Sequence, residues 1–248
     1  MQSIGRFAYG VGFAVLGVLS LIYADFAMSW QPVPANLPHY KVLAIISGCI
    51  LLLGGLGTVI NRRPVPFLLT LFVFLWLLLL QFPRIVHQPG VEANWLSFGE
   101  NLMNVVGGWM IIVGGSPGAR RLGQILFGLA LLPVGLAHLM YLDLTASMIP
   151  VWIPVHHLWA ILTGIGHMAA GVAILIGMLP RLAAILEALM ITAFVALLHI
   201  PGIAHAPSDR LQWTMTAIAV ALAGSAWLVA GSFSSSAAPV RAPVKARA

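Results

Sequence analysis

Long runs of apolar residues, separated by short segments rich in Pro, Gly and Arg, form most of the chain. Each run approaches the ~20 residues that a helix needs to cross a ~30 Å hydrocarbon core. Helices are expected because unpaired backbone groups are costly in lipid. The pattern predicts eight transmembrane helices: Phe7–Met28, His39–Ile60, Phe67–Phe82, Leu96–Val113, Leu122–Leu142, His156–Leu179, Leu182–Ile200 and Leu211–Gly231.

The two halves of the chain match each other at a constant separation of 118 positions. Residue types that are scarce in the chain coincide: Asp25 with Asp143, His39 with His157, Arg63 with Arg181 and Trp95 with Trp213. Such matches indicate an internal duplication. Each unit has four predicted spans, an even number, so both units run the same way across the membrane. The sequence predicts an all-α membrane protein of two parallel four-helix-bundle repeats, residues 1–116 and 117–233, with a disordered basic tail at 234–248.

The composition is that of a protein embedded in a lipid bilayer. Hydrophobic residues make up 60% of the chain and charged residues 7%, and the mean hydropathy is +1.01. A soluble domain carries about 25% charged residues. The single cysteine, Cys49, rules out an intrachain dithiol mechanism. The sequence contains no recognisable catalytic constellation and therefore gives no indication of an enzyme.

The net charge of +6 indicates topology rather than nucleic-acid binding, and no nucleic-acid partner is expected. Alternate turns between the predicted spans, counted with the two chain ends, hold nine basic residues: Arg6, Arg62, Arg63, Arg120, Arg121, Arg181, Arg241, Lys245 and Arg247. The opposite side holds Lys41, Arg84 and Arg210. The positive-inside rule places both termini in the cytoplasm, in a multi-pass protein of the cell (inner) membrane.

Histidines gather on the predicted outer side of the second half. His138, His156, His167 and His199 stand where the aligned first half has Ser20, Pro38, Cys49 and Gln81. Along an ideal helix, His167 lies about 16 Å below His156 and about 20° around the axis, with Thr163 on the same stripe. These four histidines are candidate cofactor-binding residues. They predict an outer cavity between the fifth, sixth and seventh spans.

Several chemistries suit these histidines. A quinone headgroup, a haem or a transition metal is a candidate cofactor, and the candidate metal ligands are His138, His156, His157 and His199. No ligand-spacing motif such as HExxH supports a metal site. Interhelical hydrogen bonding is the structural alternative. Two carboxylates complete the candidate set: Asp143 beside the hinge, and Glu187 inside the seventh span, where it pairs with Arg181 or a neighbouring helix or lies on a proton path.

The segment from Ser147 to Val155 is a Pro- and Trp-rich hinge, and the helix after it carries a WxxLTG motif. The residues concerned are Met148, Pro150, Trp152, Pro154, Trp159, Leu162, Thr163, Gly164 and Gly171. This pattern resembles the DoxX-like family of four-helix membrane proteins. The first half resembles the family more weakly, through Pro32, Pro34 and Gly48. Where family members often carry a glutamate after the TG turn, this chain has His167.

The resemblance implies an accessory or assembly membrane protein, associated with a quinone-linked redox complex. Two alternatives remain open. One is a redox subunit that binds quinone, haem or metal through the outer histidines, and the other is a pathway for a small solute or protons. In each case the expected partners are the lipid bilayer and either another membrane protein or a second copy of the chain.

Overall fold

The structure, a computed structural model, describes residues 1–233, so the predicted tail at 234–248 lies outside the described residues. Every regular element among the described residues is helical. The helices are α1 (Gln2–Tyr23), α2 (Tyr40–Val59), α3 (Val65–Trp76), α4 (Phe82–His87), α5 (Glu92–Ile112), α6 (Pro117–Met140), α7 (Leu142–Ser147), α8 (His156–Ile176), α9 (Pro180–Phe194), α10 (Ile200–His205) and α11 (Arg210–Ser232). A 3₁₀ turn spans Met28–Trp30. These elements confirm an all-helical chain.

Seven helical segments of the described chain are long and apolar enough to cross a membrane. Two of them are composite, because α3 continues into α4 and α9 into α10. The eighth long helix, α5, has a comparable length but is not in this set. Its polar residues lower its apolar character: Glu92, Asn94, Glu100, Asn101 and Asn104. A multi-pass membrane protein follows from these helices.

The core lies where α11 packs against α1, α5 and α9. In the most apolar stretch of α11, 78% of the residues are buried inside the protein, the largest share among the seven candidate spans. The small residues of α11 allow this: Gly224 lies against the backbone of Gly5 and Tyr9, where a Cβ would overlap. Tyr9 and Phe13 fill the adjoining core side by side, with ring centroids 4.8 Å apart.

Close antiparallel contact between α1 and α2 depends on glycine. Gly17 lies against the backbone of Gly48 and Leu52, and nearer the other end Gly10 lies against Gly55. A Cβ at Gly17 or Gly55 would overlap the facing backbone. These positions therefore set the distance between the two helices.

The contact between α6 and α8 repeats this arrangement. Gly135 lies against Gly164 and Met168, and Gly128 lies against Gly171. In α8 these partners stand 116 positions after their counterparts in α2, not 118. The gap-free register is therefore wrong for this helix, and the residue whose contacts correspond to His167 is Leu51 rather than Cys49.

The original separation of 118 returns farther along the chain. A π-helical segment covers Leu77–Gln81 in the first half and Val195–His199 in the second. After each comes a short helix and then a Trp whose indole N–H donates to a proline carbonyl: Trp95 to Pro89 and Trp213 to Pro207, both at 2.8 Å. Between α6 and α8 the second half is thus two residues shorter than the first half, and between α8 and the π-helical segment it is two residues longer.

Candidate functional site

A buried hydrogen-bonded pair, His167 and Glu187, joins α8 to α9. The close packing of α8 on α6 turns His167 inward, where it is 2% exposed. Glu187, in the second turn of α9, is 1% exposed, and its Oε1 lies 2.7 Å from Nδ1 of His167. The sequence predicts that Glu187 pairs with Arg181 or with a neighbouring helix, and in the structure its partner is His167 of the neighbouring α8. A buried polar group is costly unless it is hydrogen-bonded, so each residue stabilises the other.

Two aromatic rings pack beside this pair: the imidazole of His138 in α6 and the ring of Phe194 at the end of α9. The imidazole of His138 lies 4.9 Å from that of His167 between ring centroids. Phe194 stacks on His138 at 6.2 Å and meets His167 edge-on at 5.9 Å. Nδ1 of His138 lies 2.9 Å from the carbonyl of Val134 and so donates to it, which leaves Nε2 as the acceptor. We call His138, His167, Glu187 and Phe194 the His–Glu cluster.

The pair keeps two polar atoms without a partner in the described chain. Nε2 of His167 and Oε2 of Glu187 are both buried and neither has a hydrogen bond. Most buried polar atoms in folded proteins do have one, and each exception calls for an explanation. A ring nitrogen and a carboxylate oxygen together can donate to and accept from one small polar group.

The His–Glu cluster lies between the two least buried spans. In the most apolar stretch of Pro180–His205 only 22% of the residues are buried inside the protein, and in that of His156–Ile176 only 33% are. The corresponding share in α11 is 78%. Apolar side chains such as Leu162, Leu186 and Leu189 are exposed along these helices. The two helices that carry His167 and Glu187 therefore present most of their surface outward rather than to other helices.

The other predicted site residues do not take part in the ring contacts or the hydrogen bond of the cluster. His156 begins α8, about 16 Å along the axis from His167. The hydroxyl of Thr163 donates within α8 to the carbonyls of Trp159 and Ala160, at 2.9 and 3.1 Å. His199 ends the π-helical segment. Among residues 1–233, the ring contacts of the cluster do not include His156 or His199.

The remaining two candidates form a pair at the surface. Nε2 of His157 lies 3.0 Å from Oδ1 of Asp143, and their side chains are 62% and 99% exposed. In the part of the chain that the structure describes, no three His, Cys, Asp or Glu side chains are grouped as ligands for one metal ion. The geometry thus gathers His138, His167 and Glu187 and leaves His156, His157, His199 and Asp143 separate.

Two cavities are lined mainly by residues of the first half, and neither is the one that the sequence predicts in the second half. One, of about 520 Å³, lies between the ends of α1, α2, α3 and α5 and is lined by Arg6 and Arg63. The other, of about 430 Å³, lies under the Pro-rich segment that contains Val33 and Pro34 and is almost wholly apolar. The histidines line neither cavity.

The partners in two polar contacts were not predicted from the sequence. The indole of Trp30 donates to Glu100 at 2.5 Å, and Glu100 lies close enough to His167 to interact with it electrostatically. Glu100 and His167 are distant in sequence and on different helices, so only the packing of α5 on α6 brings them near each other.

The second contact joins the end of α1 to the start of α11. Arg210 donates to Oδ2 of Asp25 at 2.6 Å and to the carbonyl of Phe26, and Tyr40 donates to Oδ1 of Asp25 at 2.6 Å. Burial alone would raise the pKa of Asp25, but the hydrogen bonds from Arg210 and Tyr40 and the charge of Arg210 lower it below its ordinary value. This pair joins the segment after α1 to the start of α11.

Comparisons of the chain with protein-family models, with curated proteins and with solved structures return no match.

Proposed function

We propose that this protein is a DoxX-like accessory subunit of a quinone-linked membrane complex, and that its His–Glu cluster binds the polar head of a quinone. The observation that carries the proposal is the pair of unpartnered buried atoms, Nε2 of His167 and Oε2 of Glu187. The family resemblance rests on the hinge and on the WxxLTG motif that begins at Trp159.

The proposed architecture is eight spans in two parallel four-helix units, with α5 as the fourth span. Its support is the repeated glycine contacts of α1 with α2 and of α6 with α8. The π-helical segments at matching positions give independent support. Although α5 carries two glutamates, it is 21 residues long and packs between α3, α6 and α11. Polar residues within a membrane usually face protein in this way.

Comparison of the two halves supports a role in binding rather than in packing. At the positions of His167 and Glu187, the first half has Leu51 and Leu69, which are 0% and 1% exposed. In the first half, two buried leucines therefore occupy the positions that the polar pair occupies in the second half. Replacing a buried ion pair with apolar residues is often neutral or stabilising. The second half does not need His167 and Glu187 in order to pack.

A quinone fits the chemistry and the access route. Its ring is apolar and dissolves in lipid, so it can approach between α8 and α9. Its carbonyl oxygens accept a hydrogen bond from a ring nitrogen, and its hydroquinone form donates to a carboxylate. Phe194 offers an aromatic face beside both groups.

Titration of the protein in lipid nanodiscs with decylubiquinone tests the proposal. We expect saturable binding by the wild type and at least about tenfold weaker binding by His167→Leu and by Glu187→Leu, because each loses a buried hydrogen bond. His205→Leu, at an exposed histidine outside the cluster, is the matched control and should bind as the wild type does. Equal loss in all three variants would contradict the proposal.

A proton pathway is the second candidate, and the observation that favours it is that His138, His167 and Glu187 are consecutive neighbours. Vesicles that contain the protein and a pH-sensitive dye distinguish the two. Proton flux that Glu187→Gln abolishes, without any binding of quinone, would favour the pathway.

We propose the inner membrane as the location, with both termini in the cytoplasm. The support is the basic residues at one end of the helices, among them Arg62, Arg63 and Arg181. Reporter fusions after Gly118 and after Gly202 should report opposite sides of the membrane. The same readout from both fusions would contradict the eight-span arrangement.

A further inference from the structure

The larger of the two cavities lies at the opposite end of the helices from the Pro-rich segment that contains Val33 and Pro34. It has a volume of about 520 Å³ and lies where α1, α2, α3 and α5 end or begin. Its polar lining comes from Gln2, Arg6, Asn61 and Arg63, and its apolar lining includes Phe67. None of the residues that line it is acidic. Two positive charges therefore face this space without a carboxylate among the lining residues.

Arg6 provides the second observation. Its Nε is buried and has no hydrogen-bond partner among the described residues. A guanidinium nitrogen can only donate, so this N–H requires an acceptor. Arginine matches phosphate oxygens with two parallel N–H donors.

The surroundings of the cavity are those of a lipid-facing surface. Phe67 on its rim is 52% exposed, and Phe7, next to Arg6 in the chain, is 59% exposed. Exposed aromatic side chains beside arginines suit a molecule that has both an anionic head and acyl chains. Basic pockets between transmembrane helices bind anionic lipid headgroups in this way.

We propose that this cavity binds the phosphate of an anionic phospholipid, with Arg6 and Arg63 as its ligands. Nε of Arg6 donates to a phosphate oxygen inside the cavity, and Arg63 binds from the exposed rim. The acyl chains lie along the exposed aromatic side chains Phe7 and Phe67. None of the residues of the His–Glu cluster lines this cavity, and the proposed lipid site does not depend on the function of the cluster.

The chain offers a matched control. Arg62 is adjacent to Arg63, exposed like it, and does not line the cavity. Arg62→Gln and Arg63→Gln therefore remove one positive charge from the same turn. Only the second should weaken binding if the cavity is the site.

The experiment measures binding of dioctanoyl phosphatidic acid to the full-length protein in detergent, by native mass spectrometry and by the shift in melting temperature. We expect saturable binding by the wild type and by Arg62→Gln. Binding should be at least about tenfold weaker for Arg6→Gln and Arg63→Gln, because each loses a charge-assisted hydrogen bond. Dioctanoyl phosphatidylcholine, whose phosphate is neutralised by choline, should bind more weakly than phosphatidic acid.

Three results would overturn the proposal. One is equal loss of binding in Arg62→Gln and Arg63→Gln. Another is equal binding of phosphatidylcholine and phosphatidic acid, and the third is the same stabilisation by inorganic phosphate, which would point to a site for aqueous anions. If Arg6→Gln fails to fold, Arg63→Gln still decides the outcome, since Arg63 is exposed and its loss leaves the helix contacts intact.

Discussion

The two halves of the chain use the same glycine contacts but differ in what they bury beside them. In the first half, α1 and α2 meet through Gly17 and Gly48, and the neighbouring interior holds Leu51 and Leu69. In the second half, corresponding contacts surround His167 and Glu187. The difference indicates that the helix arrangement does not require a polar pair, and it is the reason why we propose a ligand-binding role for this pair.

The largest expected effect comes from the contacts that the halves share. Gly17→Val and Gly135→Val each place a side chain into a facing backbone. We expect each to destabilise the protein by about 3 kcal/mol or more, or to prevent folding, because a backbone cannot move aside as a side chain can. Gly166→Ala is the control, since its Cβ would meet only the end of the Met190 side chain. The yield of monodisperse protein and its unfolding in denaturing detergent measure the effect. If Gly135→Val folds normally while Gly17→Val does not, the two contacts are not alike.

The next effect separates packing from binding in the second half. Glu187→Leu alone leaves His167 buried without its partner and should cost about 3 kcal/mol. The double variant His167→Leu/Glu187→Leu reproduces the first half and should recover most of that stability, because it removes both polar groups. Unfolding free energies of the single and double variants measure the coupling. A double variant less stable than either single one would show that the pair is structural.

A smaller, pH-dependent effect distinguishes Asp25 from Asp143, the aspartate 118 positions later in the chain. Asp25 is held by Arg210 and Tyr40, whereas Asp143 is almost fully exposed beside His157. Burial raises the pKa of Asp25, but its hydrogen bonds and the charge of Arg210 outweigh burial. In the folded protein Asp25 therefore has a pKa below the ordinary value of 3.8. Its contribution to stability is therefore complete above about pH 4 and is lost as the pH falls below that value.

Melting temperatures of Asp25→Asn, Asp143→Asn and the wild type between pH 3 and pH 7 test this difference. Asp25→Asn should melt below the wild type at pH 6, and the gap should close toward pH 3. The effect should stay below about 1 kcal/mol because the pair is partly exposed. Asp143→Asn should follow the wild type throughout, and an equal effect from both variants would contradict the distinction.

The sequence allowed much of the fold to be predicted, because apolar runs and Pro–Gly–Arg breaks determine where membrane helices begin and end. It did not reveal the two-residue shift of α8. A register without gaps matches His167 to Cys49, which is exposed, while the glycine contacts match it to the buried Leu51. Compensating length changes in two loops leave little trace in an alignment of apolar residues.

Of the candidate site, the sequence identified the residues but not their grouping. His138, His167 and Glu187 were among those predicted, and the structure brings them together. Their distance from His156 follows from helix geometry and was foreseeable. The neighbouring Glu100 was not, since it reaches the cluster only through the packing of α5 on α6.

The most direct test of the account is the quinone content of the protein purified from its own membranes in mild detergent. Extraction of the wild type should yield roughly one quinone per chain, because one His–Glu pair offers one polar site. The folded double variant His167→Leu/Glu187→Leu should yield less than about a tenth of that amount, since it lacks both polar contacts. Equal amounts in both proteins, or no quinone in the wild type, would contradict the proposal that this buried pair binds a ligand.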